Sequence, residues 1–91
     1  MKKVVIMSSK EKTVAYLMVL ADTGKEYEIV QKMRSNPEVS ESYIVYGAWD
    51  VICKIETESM AKLNSIVLEL RRVPFVKRSM TLIALTGSNH V

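Results

Sequence analysis

Thr13-Val14-Ala15-Tyr16-Leu17-Met18-Val19-Leu20-Ala21 is the stretch on which the fold turns. Side chains alternate across a strand, so Val14, Tyr16, Met18 and Leu20 share one face and Ala15, Leu17, Val19 and Ala21 the other. Both faces are apolar, which predicts a strand covered on two sides at the centre of its sheet.

Outward from this strand, the chain reads as two similar halves, each strand, helix, strand. Thr23 and Glu26 have the Thr-x-x-Glu spacing of a capping box and predict a first helix that starts at Thr23. Ile29, Val30 and Met33, with Tyr27 at the edge, form its apolar stripe. Asn36-Pro37 ends it, because a residue before proline disfavours the helical region. Glu38 to Tyr46 predicts a second strand, since Tyr43, Ile44, Val45 and Tyr46 favour extended backbone.

In the second half, Val51, Cys53 and Ile55 alternate with Ile52, Lys54 and Glu56. This predicts a third strand with one more polar face, less deeply covered than the first. Thr57 is a candidate cap for a second helix, in which Met60, Leu63, Val67 and Leu70 recur at helical spacing with Ile66 alongside. Pro74 stops that helix. Val76 to Thr86 predicts a fourth strand, with Ser79, Thr81, Ile83 and Leu85 on one face and Met80, Leu82 and Ala84 on the other.

Strand-helix-strand repeated twice predicts an α+β fold of the ferredoxin-like βαββαβ kind: four antiparallel strands with two helices on one face. The domain is expected over residues 13–86, with 1–12 a leader or an extra strand against a partner's sheet edge, and 87–91 a tail of turn composition. The first and fourth strands carry apolar residues on the helix-free face too. A patch of that size marks an interface, so a sheet-to-sheet dimer is expected.

Composition narrows the class further. A chain of 91 residues is one domain that buries only ~60–65% of its unfolded surface. Hydrophobic residues at 48% and charged residues at 25% exclude a disordered chain. The apolar run inside Thr13–Ala21 is far too short to span a bilayer, and Val4–Met7 is too short for a signal-peptide core, so a cytoplasmic protein without a membrane partner is expected. Net charge is +3, and the basic residues form only short clusters of the kind found on solvated surfaces. Arg71-Arg72 suits the end of a helix, where positive charge is favoured.

Catalysis finds little support. His90 is the only histidine and lies beside the C-terminus, and Cys53, the only cysteine, reads as a small buried hydrophobe. There is no Cys/His cluster, P-loop or dinucleotide fingerprint, so no cofactor, no metal and no catalytic residue is expected. The alternative is a dimeric ferredoxin-like enzyme of monooxygenase or isomerase type, moving a proton between Asp50 and a tyrosine. RNA-binding domains share this topology, but the third strand lacks the aromatic ladder on which bases stack.

Two short motifs carry binding chemistry. Gly47-Ala48-Trp49-Asp50 joins the second and third strands, and Ser79 and Thr81 lie one strand period apart on the fourth. Glycine admits a ligand close to the backbone, an aromatic supplies a wall, and hydroxyls and amides can hold a small zwitterion. The same loop also suits a plain hairpin, with Trp49 filling a crevice and Asp50 satisfying a turn amide.

The ordered set Val14-Ala15-Tyr16, Gly24, Pro37-Glu38-Val39, Tyr43, Gly47-Ala48-Trp49-Asp50, Val73-Pro74-Phe75-Val76 and Ser79-Met80-Thr81-Leu82-Ile83 resembles the effector-binding domain of the Lrp/AsnC (feast/famine) transcription regulators. The resemblance implies dimers through packed sheets, assembly of dimers into higher oligomers, often octamers, and an amino acid or related metabolite bound between dimers. It implies that Gly47, Ala48, Trp49 and Asp50 form the ligand loop, with Asp50 receiving an ammonium, and that Ser79 and Thr81 match a Thr-x-Thr pair. Full-length regulators of the family become candidate partners. Only 12 residues precede the first strand, so the form expected is the stand-alone domain, without a helix-turn-helix and without direct DNA binding. Phe75 departs from the family pattern, which most often has glycine there. A bulky residue resists positive φ, so the turn is expected to differ or the pocket to be reshaped.

Overall fold

The computed structural model describes residues 12–85. The expected leader and C-terminal tail lie outside the described residues, apart from Lys12. Six elements follow in order: β1 (Thr13–Ala21), α1 (Glu26–Arg34), β2 (Val39–Ile44), β3 (Val51–Thr57), α2 (Met60–Arg71) and β4 (Val76–Ala84). They form one four-stranded sheet ordered β2-β3-β1-β4, with every adjacent pair antiparallel. This is the expected ferredoxin-like fold, and β1 is central as its two apolar faces require.

The core lies between the sheet and the two helices. Ala15, Leu17 and Val19 of β1, and Val51 and Ile55 of β3, are completely buried, with Cys53 almost so. Against them pack Ile29, Val30 and Met33 from α1 and Leu63, Ile66 and Leu70 from α2. Those are the stripes that helical periodicity marks. β3 is as fully covered on its helix side as β1, contrary to the shallower burial expected for it. The reason is position, since β3 is also an interior strand, between β2 and β1. The alternating Ile52, Lys54 and Glu56 describe only its other face.

Two helix starts also differ from expectation. Thr23 and Gly24 form a turn in which Lys25 N–H donates to Asp22 C=O at 3.0 Å, and Gly24 has φ 81°. That backbone cannot be the first turn of a helix, so α1 begins at Glu26 with no side-chain cap. Thr57 ends β3 instead of capping α2; its hydroxyl donates to the Ser59 carbonyl at 2.9 Å. Ser59 is the cap, accepting the Lys62 N–H on its Oγ at 3.1 Å.

The two halves repeat down to single hydrogen bonds. After α1, Ser35, Asn36 and Val39 N–H groups donate to Lys32, Met33 and Asn36 carbonyls; after α2, Arg72, Val73 and Val76 donate to Glu69, Leu70 and Val73. Glu38 C=O then accepts from Glu56 N–H as Phe75 C=O accepts from Asp22 N–H, at 3.0 and 2.9 Å. The two helix-to-strand turns differ at Phe75. Phe75 is the single non-glycine residue with positive φ among the described residues, at 76°. The α2–β4 turn therefore keeps a left-handed geometry despite its bulky residue, where a different turn was one of the outcomes expected.

The helix-free face carries Tyr16, Met18, Met80 and Leu82 at its centre, as the strand register requires. Met80 and Leu82 are about half exposed, at 47% and 51%. Toward β2 the face turns polar, with Lys54 Nζ 3.4 Å from Glu56. The hydrogen bond and charge of Glu56 raise the Lys54 pKa.

Candidate functional site

The end of β1 organises the six residues singled out by sequence. Val19 pairs with Val51 of β3 on one side and with Ser79 of β4 on the other. One step down the strand, Leu17 pairs with Cys53 and Thr81. Paired residues share a face, so the Ser79 and Thr81 side chains lie on the helix side of the sheet, along its β4 rim, where both are half-buried.

The loop reaches the same strand from the opposite flank. Asp50 N–H donates to Val19 C=O at 2.8 Å, and Asp50 Oδ2 accepts from Ala21 N–H at 2.8 Å. Val45 N–H donates to Asp50 C=O at 2.8 Å, which closes the segment 45–50 on itself. Asp50 and Ser79 thus flank Val19 with one strand between them, ~10 Å apart at normal strand spacing.

Gly47 and Ala48 are exposed, Trp49 and Asp50 half-buried. Gly47 has φ 132°, a backbone conformation that disfavours a side chain, and an added Cβ would meet nothing within 4 Å. The loop therefore presents open backbone. The 47–50 loop and Ser79 lie toward one end of the sheet, with Thr81 opposite Leu17 at mid-strand; two surface cavities of about 310 Å³, one at Lys32, Asn36, Glu69 and Arg72, the other at Arg34, Ser42 and Tyr43, are lined by none of the six.

Two features of this end were not legible in the sequence. The Ala21 amide that holds Asp50 is backbone and carries no residue signature. Lys25 Nζ stands 4.6 Å above the Phe75 ring, a cation–π contact between residues far apart in the chain. Tyr46, beside the glycine, is fully exposed. Among the described residues no group of three or more metal-ligating side chains occurs. Cys53 is buried beside Met33, with Sγ 3.6 Å from Sδ, and burial raises its thiol to about 11.

The βαββαβ sheet with two helices on one face is the fold of a ligand-binding domain found in transcription regulators. The chain belongs to the Lrp/AsnC ligand binding domain family, whose profile matches residues 14–88. It is 30% identical over 71 residues to the HTH-type transcriptional regulator FL11 of Pyrococcus horikoshii, covering 78% of this chain and 47% of that protein. The chain thus spans about half the length of the curated relatives it matches. Among solved structures, FFRP-DM1 is 35% identical with TM-score 0.77, over 80% of this chain and 99% of that one. Hypothetical protein PHS023 of Pyrococcus horikoshii is 34% identical with TM-score 0.77, over 86% and 95%. E. coli AsnC shares the fold at TM-score 0.77, with 17% identity over 87% of this chain and 54% of AsnC.

Proposed function

We propose that this domain senses an amino acid or a related small metabolite and passes the signal on through its own assembly. The observation that carries the reading is the placement of the 47–50 loop and the Ser79 and Thr81 hydroxyls on either flank of Val19. The loop amides and the two hydroxyls supply donors for a carboxylate, and Trp49 supplies an apolar wall. These groups lie on an open rim, so a second protomer is needed to close the site and exclude water. Dimers form through the apolar helix-free face and associate further at the loop end, toward rings of the octamer kind. Full-length regulators of the same family are partners that this surface would accept.

Ligand binding must raise native stability by mass action, by ~2.7 kcal/mol at a hundredfold excess over Kd. For a domain of this size that is a rise in Tm on the order of 10 °C. A thermal-shift screen of the twenty standard amino acids, coupled to light scattering, is expected to give one or a few binders and a change in assembly mass with them. No shift with any of them removes amino acids as the ligand class. Linkage also requires that a ligand which favours one assembly bind that assembly more tightly.

A further inference from the structure

We infer that Asp50 is a positioning residue, whose carboxylate fixes the 46–49 loop on the free end of β1. The inference deepens the proposed site and rests on that reading. The β1–β3 pairing ends at Val19 and Val51, and the Asp50 N–H bond to Val19 C=O lies just beyond it. On the other flank the β1–β4 register shifts between Leu20 and Ala21. The Ala21 N–H therefore emerges where the β3 ladder has run out, at a residue only 5% exposed. A buried amide left without an acceptor is strongly disfavoured, and Asp50 Oδ2 supplies the acceptor at 2.8 Å.

The same residue closes the loop by accepting from Val45 N–H. Two bonds of Asp50 thus tie it to β1 and a third joins the two ends of the loop, and the exposed Gly47 and Ala48 between them inherit their place from it. Holding Ala21 N–H asks of Oδ2 an acceptor and not a charge. Asparagine separates the two roles, because its side-chain oxygen accepts the Ala21 N–H without charge.

Trp49, the only tryptophan, adjoins Asp50 and reports the loop by its emission. Wild type, Asp50→Asn and Asp50→Ala are compared as full chains, reading Trp49 emission without ligand and the thermal shift with each of the twenty standard amino acids. The expected result is that Asp50→Asn keeps the wild-type emission maximum and affinity within about threefold, while Asp50→Ala shifts the emission to the red and loses about tenfold or more. Loss of affinity in Asp50→Asn equal to that of Asp50→Ala, with emission unchanged, would show that the charge meets the ligand and overturn the inference. Equal red shifts in both variants would overturn it too, since asparagine would then fail to hold the loop. If no amino acid shifts wild type, the proposed ligand class fails, and the emission comparison still decides whether Asp50 positions the loop.

Discussion

Phe75 holds a backbone conformation that its side chain resists. At φ 76° an L-residue with a Cβ gives up ~1–2 kcal/mol, and the Lys25 ammonium over the ring returns ~0.5–1. In this turn Phe75 C=O accepts Asp22 N–H at 2.9 Å, the bond at the exit from β1. Phe75→Gly relieves the torsion but frees the unfolded chain and loses the ring, so denaturant unfolding is expected to place it within ~1 kcal/mol of wild type. Phe75→Ile, β-branched, is expected to lose ~2 kcal/mol or more in the same measurement; equal losses for the two would contradict the strain. Cys53 gives a pH-dependent counterpart. With the folded thiol at about 11 against an ordinary value of 9.0, the unfolded state ionises first. The stability that its protonated form contributes is complete below pH 9 and falls as pH rises toward 11, by roughly 2–3 kcal/mol. The decline in wild type relative to Cys53→Ala, followed by denaturant unfolding across that window, is the readout.

Helix starts decide stability at the scale of elements. Ser59 satisfies a free amide of α2, whereas Thr23 sits in a turn before α1 and caps nothing. Ser59→Ala is expected to destabilise by ~1 kcal/mol and Thr23→Ala by much less. Equal losses in thermal unfolding would restore the capping box at Thr23. The strand edges differ in kind. On the edge strand β2, Arg34 Nη2 donates to the Ser42 carbonyl at 2.7 Å and occupies one acceptor that another chain could use. β4 carries the Ser79 and Thr81 rim on one face and the apolar Met80 and Leu82 on the other. It therefore belongs to both proposed contacts.

For the whole molecule, the question is what covers the helix-free face. Tyr16, Met80 and Leu82 are one third to about one half exposed there, and Lys54, Glu56 and Glu41 border the patch toward β2. Burying this face against a second copy would remove from water an apolar surface that a domain of 91 residues cannot cover itself. Leu82→Glu places a carboxylate at the centre of that contact. Light scattering at micromolar concentration is expected to find the variant monomeric, with wild type a dimer or larger. A wild type that is monomeric with and without amino acids would remove the sheet-to-sheet contact and with it the closed site.

Element order, strand centrality and the helix stripes were legible because alternation and helical periodicity follow directly from which side chains leave water; β1 and the Ile29, Val30 and Met33 stripe are cases in point. The ordered landmarks from Val14 to Ile83 also disclosed the family. Tertiary structure alone decided where β3 lies, since burial of a strand depends on its neighbours as well as on its own residues. It also showed the cap on Ser59, through its local bond to Lys62 N–H, and the left-handed torsion at Phe75. Above all it joined the Asp50 carboxylate to the Ala21 amide. Hydrogen bonds to a main-chain group leave no residue type to read, so no pattern along the chain could disclose that contact.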